Sequence, residues 1–404
     1  MLELATIVRA AGPAYLATHA ATVLPSQRRA LRDISQCRTP ALGGSLYQCD
    51  ACGALAYRYH SCRNRHCPTC QADRAQHWLE RVQHRLLPCA HYLLTFTLPA
   101  ELRSVARRHQ RLVYAALLRE AARTVHCVAE DRAWIGGTPG ILAVLHTWSR
   151  TLDYHPHVHL LVTAGGLTAA GTWIRPAHPR FLLPGYVLSG LFRAKMRDAL
   201  ARAGLLPAID ARGAHRVWQR RWTVHVESVG AGEHATLYLS RYVYRVALTN
   251  RRLTRFADGR VTFRYTHGRT QATHALTLPV DVFLTRFLAH VLPRAFTKVR
   301  WYGLLSPSRR ADLERARRLL TRADPAPPPP RVASHTTTPP SAPPHGSPHA
   351  PPSTTGVADD PDSLAPPPCT PRCACAHAHW RLVHRDAPTR GPPGCAPRTS
   401  MGLG

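Results

Sequence analysis

The amino-acid sequence predicts an α+β fold: an antiparallel sheet with packed helices, preceded by a small cysteine-rich domain and followed by a disordered tail. Three observations carry this reading. Strand-like and helix-like apolar patterns alternate between residues 91 and 293, in an order that suits a layered fold. Six cysteines, from Cys37 to Cys70, fall within thirty-four positions. Residues 323–404 hold 21 of the 36 prolines and show no apolar periodicity. The boundaries that follow are 1–90, 91–322 and 323–404.

Each element of the middle segment has its own signature. "HYLLTFTLP" (91–99) is a strand ended by Pro99. "ELRSVARRHQRLVYAALLREAARTV" (101–125) has apolar residues three and four apart, which predicts a helix. "GILAVLHTWSR" (140–150) and "HPHVHLLVT" (155–163) are strands joined by a short "TLDY" turn, hence an antiparallel hairpin, closed by Gly165 and Gly166. "GYVLSGLFRAKMRDALARAGLL" (185–206) is helical, "RWTVHVESV" (221–229) alternates as a strand, and "EHATLYLSRYVYRVAL" (233–248) is a helix directly after it. "PVDVFLTRFLAHVLP" (279–293) is a last helix, ended by Pro293.

The 53 basic residues outnumber 23 acidic ones, a formal net charge of +30. The tail carries six Arg against five Asp, so +29 of it falls on residues 1–322. A polyanionic partner follows, nucleic acid before an anionic membrane surface. The only lysines are Lys195 and Lys298. Arginine suits bidentate phosphate contacts, although a GC-rich coding sequence produces the same bias. No run of eighteen apolar residues and no signal-peptide pattern is present, so a cytoplasmic protein without a membrane partner is expected. Twelve cysteines in that setting point to metal or free thiols before disulfides.

"CDACG" (49–53) and "CPTC" (67–70) give two C-x2-C pairs. Four thiolates from two such knuckles satisfy tetrahedral Zn²⁺ and leave no position for water, so the ion is structural. The expected ligands are Cys49, Cys52, Cys67 and Cys70. Cys37, Cys62, His60 and His66 are further candidates, for a second site or as replacements. Arg63 and Arg65, inside "SCRNRHCPTC", are placed to rest on phosphates.

In "YHPHVHLLVTAGG" (154–166), His155, His157 and His159 alternate. On a strand they share one face, with Val158 and Leu160 on the other. Neutral imidazoles there suit Mg²⁺, Mn²⁺ or Zn²⁺ completed by water or a substrate oxygen. His146, on the partner strand, is a further neighbour. Tyr238 and Tyr242 are four apart, hence on one helix face. The alternative for the pair is core packing. Beside a metal that polarises a phosphodiester, a tyrosine hydroxyl is a nucleophile that becomes joined to the 5′ phosphate and releases a 3′ hydroxyl. A second tyrosine allows a second cleavage while the first adduct persists. Arg241 and Arg245 lie on the same helix and are candidates for positioning phosphates.

His-hydrophobic-His on a strand with tyrosines on a later helix is similar to the HUH single-strand nucleases. "CRTPALGGSLYQCDACG", "SCRNRHCPTCQ", "HPHVHLLVTAGG", "YLSRYVYRVALTN" and "RFLAHVLPRAFTKVRWYG" resemble, in this order, motifs of the insertion sequence ninety-one family of transposases, over residues 10 to 310 or so. The resemblance implies an HUH-type sheet and rolling-circle-type transposition of a bacterial element. It implies a zinc module that contributes to DNA binding, and action in the cytoplasm at the nucleoid. His157 and His159 become ligands of a catalytic Mg²⁺ or Mn²⁺. Tyr238 and Tyr242 become the paired nucleophiles, and single-stranded DNA at the element's ends and the target DNA become the partners. His155 is the candidate third ligand, with Glu227 or Glu233 as alternatives. The tail matches no motif of the family; its "CTPRCACAHAH" (369–379) is a metal-binding patch or mere composition. Two rival functions remain open: a replication initiator or relaxase using the same chemistry, and a non-catalytic zinc protein that binds nucleic acid.

Overall fold

The computed structural model describes residues 1–71, 82, 85–178, 182–210, 214–231, 247–268, 270–322 and 380–387. The chain opens with two helices, α1 (Leu4–Thr18) and α2 (Pro25–Ser35). Proline starts α2, where its missing N–H leaves nothing unpaired, and the Gln27 side chain accepts the Leu24 N–H at 2.9 Å. An antiparallel hairpin follows, β1 (Gly44–Cys49) and β2 (Leu55–Tyr59).

The strand β3 (Ala90–Thr97) is where "HYLLTFT" predicts it. The single helix expected over 101–125 is two, α3 (Arg103–Arg108) and α4 (Gln110–Ala129), because His109 between them leaves the helical region at φ −116°, ψ 45°. The expected hairpin is β4 (Gly140–Trp148) and β5 (Tyr154–Thr163). Two short strands, β6 (Gly166–Leu167) and β7 (Trp173–Ile174), precede α5 (Gly185–Arg202), the short α6 (Leu206–Asp210) and β8 (Val224–Ala231). Beyond it lie β9 (Leu253–Ala257), β10 (Arg260–Thr266), β11 (Thr273–Pro279), α7 (Val280–Leu288), β12 (Val299–Gly303) and α8 (Arg310–Arg322).

The central sheet has the order β12-β4-β5-β3-β8, with every neighbouring pair antiparallel. One face is apolar throughout: Leu94, Phe96, Ala143, Leu145, Val158, Leu160 and Val162 pack with residues of α4 and α5. The other face is divided. Leu93, Leu142, Val144 and Leu161 pack with Leu313 and Ala316 of α8 at one end. His157 and His159 stand at the other end of that face, which two-residue alternation separates from Val158 and Leu160. Phe96 is fully buried, and its ring meets Phe192 edge-on with centroids 4.9 Å apart. Phe96→Ala is expected to cost about 3–5 kcal/mol, read from denaturant unfolding.

A second core joins distant parts of the chain. Leu4, Ile7, Leu31 and Ile34 of α1 and α2 pack with Val261, Phe263, Phe283 and Phe287 of β10 and α7. Polar ties reinforce it: Gln27 donates to the Leu288 carbonyl at 2.8 Å, and Tyr15 pairs with Thr285 at 2.9 Å. The apolar patterns read from the sequence do not announce the β9–β11 sheet, whose residues are largely exposed or half-buried.

Within the proline-rich span the structure describes one strand, β13 (Trp380–Arg385). It adds to β1 antiparallel, giving a three-stranded sheet β13-β1-β2. Its side chains are mostly exposed, so backbone pairing with a distant strand makes it, and no burial pattern announced it. Among the described residues, no helix is long and apolar enough to cross a membrane.

Candidate metal centres

The first centre lies where α2, the β1–β2 hairpin and the segment after it meet. Cys37, Cys62, Cys67 and Cys70 bring their sulfurs within 4.8 Å of one another. The Sγ atoms of Cys37 and Cys70 are 3.6 Å apart, those of Cys62 and Cys70 3.6 Å, and those of Cys67 and Cys37 3.7 Å. Zinc–sulfur bonds of about 2.3 Å at tetrahedral angles put the sulfurs ~3.8 Å apart, so the cage fits Zn²⁺. Hydrogen bonds from Cys37, Cys62 and Cys67 hold the Cys70 thiol well below its ordinary value, which favours the thiolate a metal needs. Local turns make the cage: Arg63 adopts φ 53°, the Asn64 side chain accepts the His66 N–H at 2.9 Å, and the Cys67 N–H bonds the Asn64 carbonyl.

This cluster differs from the set expected from spacing and takes in Cys37 and Cys62, the further candidates. Cys67 and Cys70 are in the cage, but Cys37 and Cys62 complete it and Cys49 and Cys52 do not. The reason is the length of β1. Its Gly44 end, paired with Tyr59, lies beside Cys37 and Cys62, whereas Cys49 is five residues further on. At ~3.4 Å per residue that is ~17 Å, too far to share an ion. His66 is also outside the cage. Its Nε2 accepts the Leu292 N–H at 3.3 Å, and burial pushes its pKa down to about 3. His60 bonds Ser45 Oγ at 2.9 Å. Arg65 donates to the Phe296 carbonyl at 2.6 Å, tying the module to the central sheet, while Arg63 is exposed to solvent.

The second centre is on the open end of the central sheet. His146 of β4 stands directly opposite His157 of β5, and Val144 opposite His159. The ligand nitrogens of His146, His157 and His159 lie within 4.8 Å of one another. The His157 Nδ1–H donates to the His155 carbonyl at 2.7 Å, which turns Nε2 toward the cluster as the free nitrogen. His159 Nδ1 pairs with Thr95 Oγ1 at 3.0 Å. His146 is 2% exposed and stacks on Trp148, with ring centroids 4.5 Å apart. Burial lowers the His157 pKa to about 4, so the imidazole is neutral and ready to ligate near pH 7. Three imidazoles on one face, each orientable by a fixed neighbour, suit a divalent transition ion.

His155 is not part of this cluster. The β4–β5 register shifts between His146 and Trp148, so His155 and Pro156 together face one residue of β4. Proline lacks the ladder donor and is tolerated at such a bulge. The bulge ends the alternation before His157, and His155 Nδ1 accepts a hydrogen bond from Arg103 at 2.6 Å. The acidic alternative Glu227 is exposed on β8. Tyr238, Tyr242, Arg241, Arg245 and Glu233 lie outside the described residues.

The hairpin that carries the histidines is latched to the second core. Arg286 of α7 pairs with Asp153 at 2.8 Å and donates to the Thr151 carbonyl at 3.0 Å. The His290 ring bridges Thr147 Oγ1 and the Leu152 carbonyl at 3.3 and 3.1 Å. The zinc cage and the histidine cluster are therefore parts of one packed unit.

Comparison with known proteins gives a family for each part of the chain. Residues 140–312 match the Y2_Tnp family, described as "Putative transposase", and residues 7–98 match the Zn_Tnp_IS91 family, described as "Transposase zinc-binding domain". Fold and matches together define a transposase with an N-terminal zinc-binding domain. "Putative transposase y4qJ" of Sinorhizobium fredii (strain NBRC 101917 / NGR234) is 39% identical over 344 residues, covering 80% of this chain and 86% of its own. "Transposase for insertion sequence element IS801" of Pseudomonas savastanoi pv. phaseolicola is 29% identical over 282 residues, 67% of this chain and 68% of its own. The chain belongs to the insertion sequence ninety-one family of transposases. No solved structure matches it.

Proposed function

We propose that this transposase nicks and rejoins single-stranded DNA at the ends of its own element, with Tyr238 and Tyr242 as nucleophiles and a divalent ion at His146, His157 and His159. The convergence of those three imidazoles on the open face of the sheet is the observation that carries the reading. Mg²⁺ or Mn²⁺ held there supplies Lewis-acid polarisation of the scissile phosphate.

The chain's own residues do the rest. The phenol gives up its proton as its oxygen bonds to phosphorus, the bond from phosphorus to the 3′ oxygen breaks, and that oxygen takes up a proton and leaves as a hydroxyl. The phosphotyrosine ester conserves the bond energy, so rejoining to another 3′ end needs no ATP. The segment that carries both tyrosines leaves the sheet at Ala231, the end of β8. It rejoins the described chain at Ala247, whose carbonyl accepts from Arg252 at 3.3 Å. The same guanidinium donates to the Arg150 carbonyl at 2.5 Å, in the turn just below the histidines. The described end of the segment that carries both tyrosines is thus tied through Arg252 to the β4–β5 turn, which supports the reading. Arg63 and the arginines of 249–256 supply sequence-independent phosphate affinity.

Transposases as relatives favour this over a plasmid replication initiator or relaxase with the same chemistry. A covalent-adduct assay separates it from a non-catalytic reading. Labelled single strands from the element's ends, incubated with the full chain and Mg²⁺ or Mn²⁺, are expected to give a denaturation-resistant protein–DNA band. The band should vanish in Tyr238→Phe/Tyr242→Phe. A band that never forms, or that survives the double change, refutes the covalent mechanism.

A further inference from the structure

Taking the histidine cluster as the place where the strand is cut, as proposed above, we infer that Arg103 forms a phosphate site beside it. Arg103 is braced by His155 and extended by Arg107, and it takes a neighbouring phosphate of the strand, not the scissile one.

The first observation is the bond that holds Arg103. Its Nη2 lies 2.6 Å from His155 Nδ1. A guanidinium has donors only, so Nδ1 accepts and the imidazole carries its proton on Nε2. Neither nitrogen of His155 is then free for a cation, and the pair presents N–H groups outward. The backbone sets this contact. The Leu98 N–H bonds the Pro156 carbonyl at 3.0 Å, so the chain leaves β3 beside the bulge, and Arg103 follows as the first residue of α3.

The second observation is unmet donor capacity. The acids nearest in sequence are taken by other arginines, Glu101 by Arg220 and Asp153 by Arg286. Among the described residues no carboxylate pairs with Arg103 or Arg107. The Arg103 Nε is buried and has no acceptor. Buried donors are nearly always matched, so one left open on a permanent cation calls for an acceptor that arrives from outside. An anion supplies both the acceptor and the countercharge, and phosphate oxygens suit the planar fork.

The third observation is position. The His155 ring stands next to that of His157, with centroids 5.2 Å apart. Arg103 touches this neighbour of the cluster and none of its three ligands, which places the guanidinium one side chain away from them. A phosphate held at the three imidazoles is therefore not the one Arg103 grips, and the next phosphate along the strand is. Arg107, four residues on, is exposed on the same side of α3. Its charge acts on both Tyr154 and His290, at the hairpin that carries the histidines. A strand crossing the cluster thus meets two guanidiniums in succession, which supply phosphate affinity without reading bases.

The test is binding of labelled single strands from the element's ends to the full chain without added Mg²⁺ or Mn²⁺, so that affinity is read apart from cutting. Arg103→Ala is expected to weaken binding about 10-fold. It should also lower the slope of log affinity against log salt by ~0.7, the share of one phosphate contact on a single strand. Arg103→Lys keeps the charge and should keep the slope, which separates a lost contact from a damaged helix. Neutral methylphosphonates, placed singly along the strand, should reveal one position that weakens binding to the unaltered chain and has no effect on Arg103→Ala. His155→Ala removes the brace and not the charge, so its loss should be smaller than that of Arg103→Ala. With Mg²⁺ or Mn²⁺ added, Arg103→Ala should raise KM for the strand more than it lowers kcat. An unchanged affinity or slope in Arg103→Ala overturns the inference, as does a loss that no single methylphosphonate reproduces. A strand that binds in this pattern but never becomes joined to the protein refutes the covalent reading alone.

Discussion

His146→Ala is expected to abolish the protein–DNA adduct as completely as His157→Ala, while His155→Ala retains it to within a few-fold. His146 and His157 are opposite residues on neighbouring strands, and their nitrogens converge with that of His159. Outer partners of metal ligands are worth about 10–100-fold in affinity or activity, so removing a direct ligand should cost ~100-fold or more. His155 instead accepts from Arg103. Adduct yield against Mn²⁺ concentration reads both effects. His146→Gln, of similar volume, separates ligand loss from the cavity that Ala leaves next to Trp148. If His155→Ala is inert and His146→Ala active, the third position belongs to His155 after all.

Zinc removal should be the most damaging change to the fold. Cys62→Ser/Cys70→Ser, or a strong chelator, takes away an ion whose apparent binding free energy in small zinc modules is about 10–16 kcal/mol. Whole-domain stability is only about 5–15 kcal/mol. Cys37, Cys67 and Cys70 share a core with α1, α2, β10 and α7, and α7 latches the β4–β5 turn through Arg286. Loss of the ion should therefore open the N-terminal module to protease and lower the thermal midpoint, and it should also weaken metal binding at the histidines. Cys49→Ser/Cys52→Ser should leave that core folded. Equal damage from the two cysteine pairs would contradict the ligand assignment.

Much of the central sheet was legible because its signals are local. β3, β4 and β5 lie within a residue or two of their apolar runs, and Val158 and Leu160 face the core opposite His157 and His159 as alternation requires. The helix of 101–125 was read without its break, since nothing in the apolar period distinguishes His109. β12 and the β9–β11 sheet were missed. β12 is a half-buried strand that forms only by pairing with β4 far back in the chain, and β9–β11 show outward Arg and Thr with few buried residues.

By itself the sequence pointed to zinc on the cysteines of an N-terminal module, to a candidate metal site among histidines on one strand face, and to the family the motifs resemble. Only the tertiary structure decided which of these residues come together at each candidate centre. Spacing paired Cys49 and Cys52 with Cys67 and Cys70, but β1 is a stiff ~17 Å spacer that separates them and brings Cys37 and Cys62 in instead. Alternation offered His155, but its ring, beside that of His157 across a one-residue bulge, gives its Nδ1 to Arg103, and cross-strand register supplies His146. Ligand sets are closed by contacts between residues distant in sequence, and strand register, which no local pattern encodes across a chain, fixes those contacts.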